Sequence, residues 1–144
     1  MDHAPIKIIE KSGLSISVMN MDTLSEAELV PSDYTDLYSL TVEGLFRRPQ
    51  MSSILGSIEY WKSVSMDWDL DGILLFFQYS CRPWAIPPMM AKNALQEALD
   101  IPVLVVEADP FDTRNYSVGQ MKTRIESFAE VVRMNKAARE AESV

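Results

Sequence analysis

The sequence has little of several residue types that common active sites require. Its 144 residues include one cysteine, one histidine and five glycines. A single cysteine excludes an internal disulfide framework. Cysteine–histidine catalysis is disfavoured because the only histidine, His3, lies near an end of the sequence that is expected to be mobile.

The glycines do not form a phosphate-binding loop, and the apolar residues do not form a membrane span. Neither GxGxxG nor GxxxxGKS/T occurs, so the glycine cradle of a dinucleotide or P-loop site is missing. No stretch approaches the roughly 18 apolar residues that a span requires. The opening "MDHAPIKIIEKSG" lacks the apolar core of a signal peptide. The cytoplasm is therefore the expected location.

Basic residues are also in short supply. The chain has 13 basic and 21 acidic residues, for a formal net charge of −8. Such a balance gives little electrostatic basis for binding a phosphate backbone, so nucleic acid is not an expected partner. With 47% hydrophobic and 24% charged residues, the composition is that of a globular protein, and the length predicts a single domain over residues 1–144.

Apolar spacing predicts alternating helices and strands, ending in a polar tail. We expect four helices, over about 4–12, over 52–66, over 87–99 and after Ser117. We expect three strands, in "LSISVM" (14–19), at 73–77 and within 100–109. Helices that alternate with buried strands predict an α/β fold, specifically an open, mostly parallel sheet with helices on both faces, a Rossmann- or flavodoxin-like three-layer arrangement. Residues 135–144 are expected to fray.

Cys81 lies at the junction between a predicted strand and a predicted helix. In open parallel sheets, ligands bind beyond the carboxyl ends of the strands, where Cys81 and Asp109 are both expected. A following helix N-terminus and the neighbouring Arg82 favour the thiolate, the form that binds metals. The alternative is a buried cysteine that packs as a small hydrophobe. Glu107, Asp109 and Asp112 could bind a cation, but solvated carboxylates are the favoured interpretation.

The block around Cys81 and the block that follows resemble a known family. "DGILLFFQYSCRPW" and "ALQEALDIPVLVVEADPFDTRNYSVGQMKTRIESFAE" are similar to the C-terminal domain of D-component subunits of 2-hydroxyacyl-CoA dehydratases, a family that includes ATP-dependent benzoyl-CoA reductases. The shared pattern is a strand, Ser-Cys-Lys/Arg-Pro, a helix, "IPVLxxExD" and "QxxTRIExF". The resemblance covers about residues 70–132, with a weaker match over 4–20.

The resemblance implies a subunit or fragment of an enzyme with an oxygen-sensitive 4Fe-4S cluster. In the family, a cysteine at the position of Cys81 ligates the cluster, and Ser80, Arg82 and Asp109 are the expected cleft neighbours here. The implied reaction removes water from an (R)-2-hydroxyacyl-CoA to give an enoyl-CoA, through a ketyl radical. The implied partners are a sister dehydratase subunit, an ATP-dependent activator that delivers one electron, and the acyl-CoA substrate; a homo-oligomer is a further alternative.

The chain departs from the family pattern in two respects. Family subunits supply further cluster cysteines from an N-terminal domain, whereas this chain has only Cys81, and a cubane cluster is normally held by about four thiolates. We therefore expect the cluster only if a partner chain or missing domain completes it, and no activity from the chain alone. The family domain also has a strand before the first helix, where this chain offers only "MDHA".

Two other functions remain open from the sequence. The first is a non-catalytic interaction or scaffold domain derived from the same family, which is compatible with one cysteine and an acidic composition. The second is a flavodoxin-like binder of a small ligand, which is weaker because no phosphate-binding loop follows the first predicted strand.

Overall fold

The computed structural model describes residues 4–19, 38, 53–77, 87–107 and 117–142. Helices make up 68% of these residues. In chain order the described elements are α1 (Ala4–Lys11), α2 (Ile54–Asp67), β1 (Ile73–Phe77), α3 (Pro87–Leu99), β2 (Val103–Glu107) and α4 (Val118–Glu142).

The two strands form a parallel pair whose apolar sequences favour burial. β1 reads ILLFF and β2 reads VLVVE. The ladder runs from the pair Ile73 and Val103 to the pair Phe77 and Glu107. Because successive parallel strands need a crossover connection, α3 returns the chain from the end of β1 towards the start of β2. Both strands therefore finish at the same end of the sheet, which we call the carboxyl end.

One set of strand side chains packs against α2 and α3. This α2–α3 cluster consists of buried residues from both strands, from the two helices and from the turn before β2: Tyr60, Trp61, Val64, Ile73, Leu75, Ala91, Leu95, Ile101, Val103 and Val105. Leu95 is fully buried, and burial of a leucine side chain stabilises a fold by roughly 1.5–3 kcal/mol.

The alternate strand positions pack against α1 and α4. This α1–α4 cluster contains buried Ile9, Val106, Met121 and Ile125, with partly buried Ile8, Leu14, Leu74, Phe76 and Leu104 around it. Successive side chains of a strand point to opposite sides, so a single strand pair supplies both clusters. The 3–4 residue spacing of the apolar positions in α4 turns one stripe of that helix towards the strands.

Two helices end in the same way before a strand. Asp69 follows the C-cap of α2, and Asp100 follows α3, with φ angles of 46° and 52°. This left-handed conformation stops a helix, at a cost of roughly 1–2 kcal/mol for a residue with a Cβ. The next residue, Leu70 or Ile101, packs in the α2–α3 cluster. Burial of these side chains offsets the cost and directs the chain into β1 and β2.

The predicted three-layer fold, an open, mostly parallel sheet with helices on both faces, is wrong because the sheet is too small. Within the described ranges the sheet has two strands, and most residues are helical, so this is not a Rossmann- or flavodoxin-like three-layer fold. Residues 14–19, predicted as a strand, contain no strand. Leu14 instead packs against the α1–α4 cluster and Val18 against the α2–α3 cluster. Their apolar side chains are thus covered without this segment joining the sheet.

The longest of the described helices, α4, runs to Glu142, and fraying of residues 135–144 stays a prediction. Side chains from Arg133 onwards bond to other parts of the chain. Despite its 25 residues, α4 is too polar to cross a membrane, and every other helix in the part of the chain that the structure describes is too short.

Polar tethers join the second half of α4 to the amino end of the sheet. Lys136 Nζ lies 2.7 Å from Asp71 Oδ2, and Arg139 Nη2 lies 2.8 Å from Asp71 Oδ1. Asp71 precedes β1, so this double ion pair connects α4 to the start of that strand. Arg133 Nη1 also donates to the backbone oxygen of Ser12, just after α1, at 2.9 Å.

Substitution of Gly72 tests the close approach of α4 to the start of β1. A Cβ at this position would lie 2.8 Å from Val132 Cγ2 and 3.1 Å from Phe128 Cζ. Gly72→Ala is therefore expected to lower the free energy of unfolding by about 1–3 kcal/mol, as overpacking does. Urea denaturation followed by circular dichroism measures the change.

Gly119→Ala provides the matched control. The nearest atom to its added Cβ is Ser117 Oγ at 3.8 Å, and alanine favours a helix over glycine by up to about 1 kcal/mol. The control should be at least as stable as the wild type. Equal stability of Gly72→Ala and the wild type would show that α4 does not approach β1 this closely.

The ion pair of Lys136 predicts a loss of stability at alkaline pH. The hydrogen bond to Asp71, and then the charge of Asp71, raise the pKa of Lys136 above its ordinary value of 10.5. Because the folded-state pKa is the higher one, the stabilisation is fully present below pH 10.5 and is lost as the pH rises through the folded-state pKa.

We therefore expect the difference in urea midpoint between the wild type and Lys136→Met to be constant near neutral pH and to shrink above pH 10.5. Lys122→Met is the control on the same helix, since Lys122 lies 3.7 Å from Glu126 in an exposed pair. A Lys136→Met difference that grows with alkaline pH would contradict this assignment.

Candidate functional site

The four candidate site residues from the sequence lie outside the described residues. Ser80, Cys81 and Arg82 precede α3, and Asp109 follows β2. Their assignment to one cleft stays a prediction. What the structure describes is the pair of strands from which the two segments begin and the helices at which they end.

The two segments leave the sheet side by side. Phe77, the last residue of β1, is the register partner of Glu107, the last residue of β2. Adjacent strands lie about 4.8 Å apart. Cys81 follows Phe77 by four residues and Asp109 follows Glu107 by two, so an extended chain could carry them at most about 14 Å and 7 Å from these anchors. Both segments therefore start from one short stretch of the carboxyl end.

The helix after Cys81 begins at Pro87. Five residues separate Cys81 from this first helical position, and the field of a helix terminus falls off within about one turn. The helix that begins at Pro87 is therefore a weaker reason to expect a thiolate at Cys81 than the charge of Arg82, the next residue in the sequence. α4 starts at Val118, where Ser117 Oγ accepts a hydrogen bond from the backbone N–H of Gln120 at 3.4 Å, as the side chain of a helix N-cap residue does.

An arginine side chain reaches the outer edge of β2. Arg124 Nη2 donates to the backbone oxygen of Val105 at 2.8 Å. The N–H of Ile73 donates to Pro102 O at 3.0 Å, which means that β2 directs the backbone groups of its even-numbered residues towards β1. The backbone groups of Val105 therefore point away from β1, and Arg124 satisfies the carbonyl on that side.

Sequence reasoning did not assign a role to Arg124. It lies in "TRIESF", three residues after buried Met121 and next to buried Ile125. This spacing puts Arg124 at the border of the apolar stripe of α4, where a long side chain can run along the buried surface with its charged end outside. An arginine at that border is expected to donate a hydrogen bond to a neighbouring element of the chain. The sequence does not identify which group accepts it.

The described residues also contain a shallow cleft, at the opposite end of the sheet from Phe77 and Glu107. Its volume is about 530 Å³, and Gln96, Asp100, Pro102 and Asn135 are among the residues that line it. It lies where α3 finishes and β2 begins, at the amino end of the sheet. Within the ranges that the structure describes, no three histidine, cysteine, aspartate or glutamate residues are grouped to hold a metal ion.

Comparison with known proteins connects most of the chain to one family. The family model "2-hydroxyglutaryl-CoA dehydratase, D-component" matches residues 2–132. The chain is similar to the alpha subunit of (R)-2-hydroxyglutaryl-CoA dehydratase from Acidaminococcus fermentans, with 27% identity over 103 residues, which are 71% of this chain and 21% of the relative. The chain thus spans about a fifth of the length of this curated relative. No solved structure matches the chain.

Cross-linking tests whether Cys81 lies close to the end of β2. In a Glu107→Cys variant, a short-arm bis-maleimide should join the new thiol to Cys81 within one molecule, because position 107 ends β2 and Cys81 lies four residues after Phe77, the register partner of Glu107 in β1. Glu97→Cys is the control, since Glu97 lies near the end of α3 and lines the cleft at the amino end. Intact-mass spectrometry distinguishes the cross-link from two separate adducts. Efficient cross-linking from position 97 and none from position 107 would place Cys81 elsewhere.

Proposed function

The chain belongs to the 2-hydroxyglutaryl-CoA dehydratase D-component family, and on that premise we propose that it is a subunit or fragment of a 4Fe-4S-dependent (R)-2-hydroxyacyl-CoA dehydratase. The family match over residues 2–132 is the observation that carries this proposal. The proposed role of the chain is to contribute one thiolate, Cys81, to the centre at which an (R)-2-hydroxyacyl-CoA loses water to become an enoyl-CoA.

The parallel strand pair supports the proposed position of the thiolate. The segment with Cys81 and the segment with Asp109 begin at register partners, Phe77 and Glu107. A site assembled at the carboxyl end can thus draw on both segments. In the proposal, Arg82 favours the thiolate form of its neighbour, and Ser80 and Asp109 form part of the cleft wall.

The residues of this chain do not fit a 4Fe-4S cluster by themselves. A cubane cluster is normally held by about four thiolates, and the chain has one cysteine. Nor do the described residues supply a substitute group of metal ligands. We therefore propose that cysteines of a sister dehydratase subunit complete the centre, that the chain is inactive alone, and that the complex works in the cytoplasm with an ATP-dependent activator.

A non-catalytic interaction domain derived from the same family is the second candidate. The single cysteine and the acidic composition are compatible with this function. The two functions differ in a measurable property. An interaction domain would bind its partner stably with neither iron nor acyl-CoA in the complex.

Anaerobic reconstitution tests the proposed thiolate. The chain is co-expressed with a cysteine-rich subunit of the same family, and the purified complex is incubated with iron and sulfide. We expect charge-transfer absorption in the visible region and bound iron in the wild type. In Cys81→Ala both should fall severalfold, because one ligand of the cluster is removed.

Ser127→Ala is the matched control, since Ser127 is an exposed residue of α4 and is not part of the proposed centre. It should bind as much iron as the wild type. If the Cys81→Ala complex retains the wild-type absorption and iron content, the thiolate role is wrong. A stable complex without iron or acyl-CoA binding would support the interaction domain instead.

A further inference from the structure

The end of α2 exposes four successive residues, Met66 to Asp69, which we call the 66–69 patch. Met66 and Trp68 are 66% and 51% exposed, and the two aspartates that alternate with them are exposed as well. The patch lies at the amino end of the sheet, just before β1. Apolar surface that is rimmed by polar residues marks interaction sites, whereas single exposed apolar residues are ordinary.

Backbone hydrogen bonds hold the patch in one conformation. The N–H of Asp69 donates to Met66 O at 3.3 Å, and the N–H of Leu70 donates to Ser65 O at 3.0 Å. These two bonds are those of a helix end that is closed by a left-handed residue, here Asp69 with a φ of 46°. Leu70 then packs against the α2–α3 cluster. Because Trp68 lies on an ordered backbone, its burial by another protein would cost little backbone entropy.

The turn after α3 shows that such exposure is not a requirement of this backbone geometry. Asp100 ends α3 in the same left-handed conformation. The residue before it, Leu99, packs against the α2–α3 cluster, whereas Trp68 at the corresponding position is half exposed. Glu97, a charged residue, lies where α2 has Met66. The exposed apolar side chains after α2 therefore need a reason beyond the local fold.

Carboxylates give the patch a negative rim. Lys136 Nζ and Arg139 Nη2 both bind Asp71, at 2.7 and 2.8 Å, and no ion pair among the described residues includes Asp67 or Asp69. The whole chain has a formal net charge of −8, which has the same sign. A cationic side chain complements this surface, because it can lie on the face of a tryptophan and pair with a carboxylate at the same time.

We propose that the 66–69 patch binds a partner subunit of the dehydratase, at a segment in which an arginine or lysine lies beside an apolar side chain. This proposal rests on the proposed function, which requires a further subunit. The relative is named as an alpha subunit, and the chain covers 21% of it. Tryptophan and arginine are the residues that most often dominate the binding free energy of an interface.

The apolar part of the patch is tested by the affinity of the chain for a cysteine-rich subunit of the same family, measured by biolayer interferometry. Trp68→Gln should weaken binding at least about tenfold, as the loss of a central tryptophan does. Met134→Gln is the control, since Met134 is 73% exposed and lies in α4, on the other side of the sheet. It should bind like the wild type. Both replaced side chains are exposed, so the urea midpoint of the chain alone should stay unchanged in both variants.

The charged part of the patch is tested by Asp69→Asn. Asparagine also tolerates the left-handed conformation, so this variant removes the charge and retains the turn. We expect binding to weaken severalfold and to depend less on salt concentration, because one attraction between charges is lost. Asp100→Asn makes the same change in the turn after α3 and should retain the affinity and salt dependence of the wild type.

Three results would overturn the proposal. The first is wild-type affinity in both Trp68→Gln and Asp69→Asn. The second is a lower urea midpoint of Trp68→Gln in the chain alone, which would show that Trp68 packs within the chain. The third is a wild-type dimer in sedimentation that Trp68→Gln dissociates, which would assign the patch to a second copy.

The iron measurement separates this proposal from the proposed function. If the subunit binds through Trp68 but the complex holds no iron that depends on Cys81, the patch is supported and the thiolate role is rejected. If iron binding depends on Cys81 but the affinity does not depend on the patch, the reverse holds. A wild-type chain that does not bind the subunit at all would reject both.

Discussion

Hydrogen bonds between β1 and β2 determine where the other described elements can lie. The parallel register forces α3 to return along the strand pair, which brings the start of α3 near the end of β1 and the end of α3 near the start of β2. The same register divides the strand side chains between the α2–α3 and α1–α4 clusters. It also turns the backbone oxygen of Val105 outwards, where Arg124 can bind it. A different pairing of the strands would change all three features.

Most of the polar contacts between described elements lie away from the carboxyl end of the sheet. Asp71, Ser12 and the backbone oxygen of Asp100 all accept hydrogen bonds from side chains in the second half of α4. The segments with Cys81 and Asp109 begin at the opposite end, where Arg124 provides the contact nearest to them. Among the described residues, the side-chain contacts of α4 thus support the amino end of the sheet more than its carboxyl end.

The proposed function needs cysteines from outside these 144 residues because of the chemistry of iron. One thiolate can bind an iron atom, but it cannot hold a cubane cluster. The chain spans about a fifth of the length of the dehydratase subunit that it resembles. In the proposed complex, this chain would contribute Cys81 and part of the cleft wall, and another subunit would contribute the remaining cysteines. With cysteines supplied from elsewhere, membership of a family that uses a cluster is compatible with a sequence that has one cysteine.

Local patterns predicted the described helices and the two strands well. The spacing of apolar residues predicted α2 and α4, and the bounds predicted for β1 and α3 match Ile73–Phe77 and Pro87–Leu99. Alternation in "LSISVM" predicted a strand wrongly, because Leu14 and Val18 pack against the clusters outside the sheet. The motif around Cys81 and "TRIESF" was enough to indicate the family, which the family comparison confirmed.

The sequence by itself determined the helices, the two strands and the family, because these depend on residues close together in the chain or on a linear motif. Only the tertiary structure decided how far the sheet extends and what Arg124 binds. Sheet extent depends on whether separate segments find backbone partners, and the acceptor of Arg124 is a carbonyl oxygen 19 residues away that every residue type possesses. No side-chain pattern in the sequence distinguishes that carbonyl from the others.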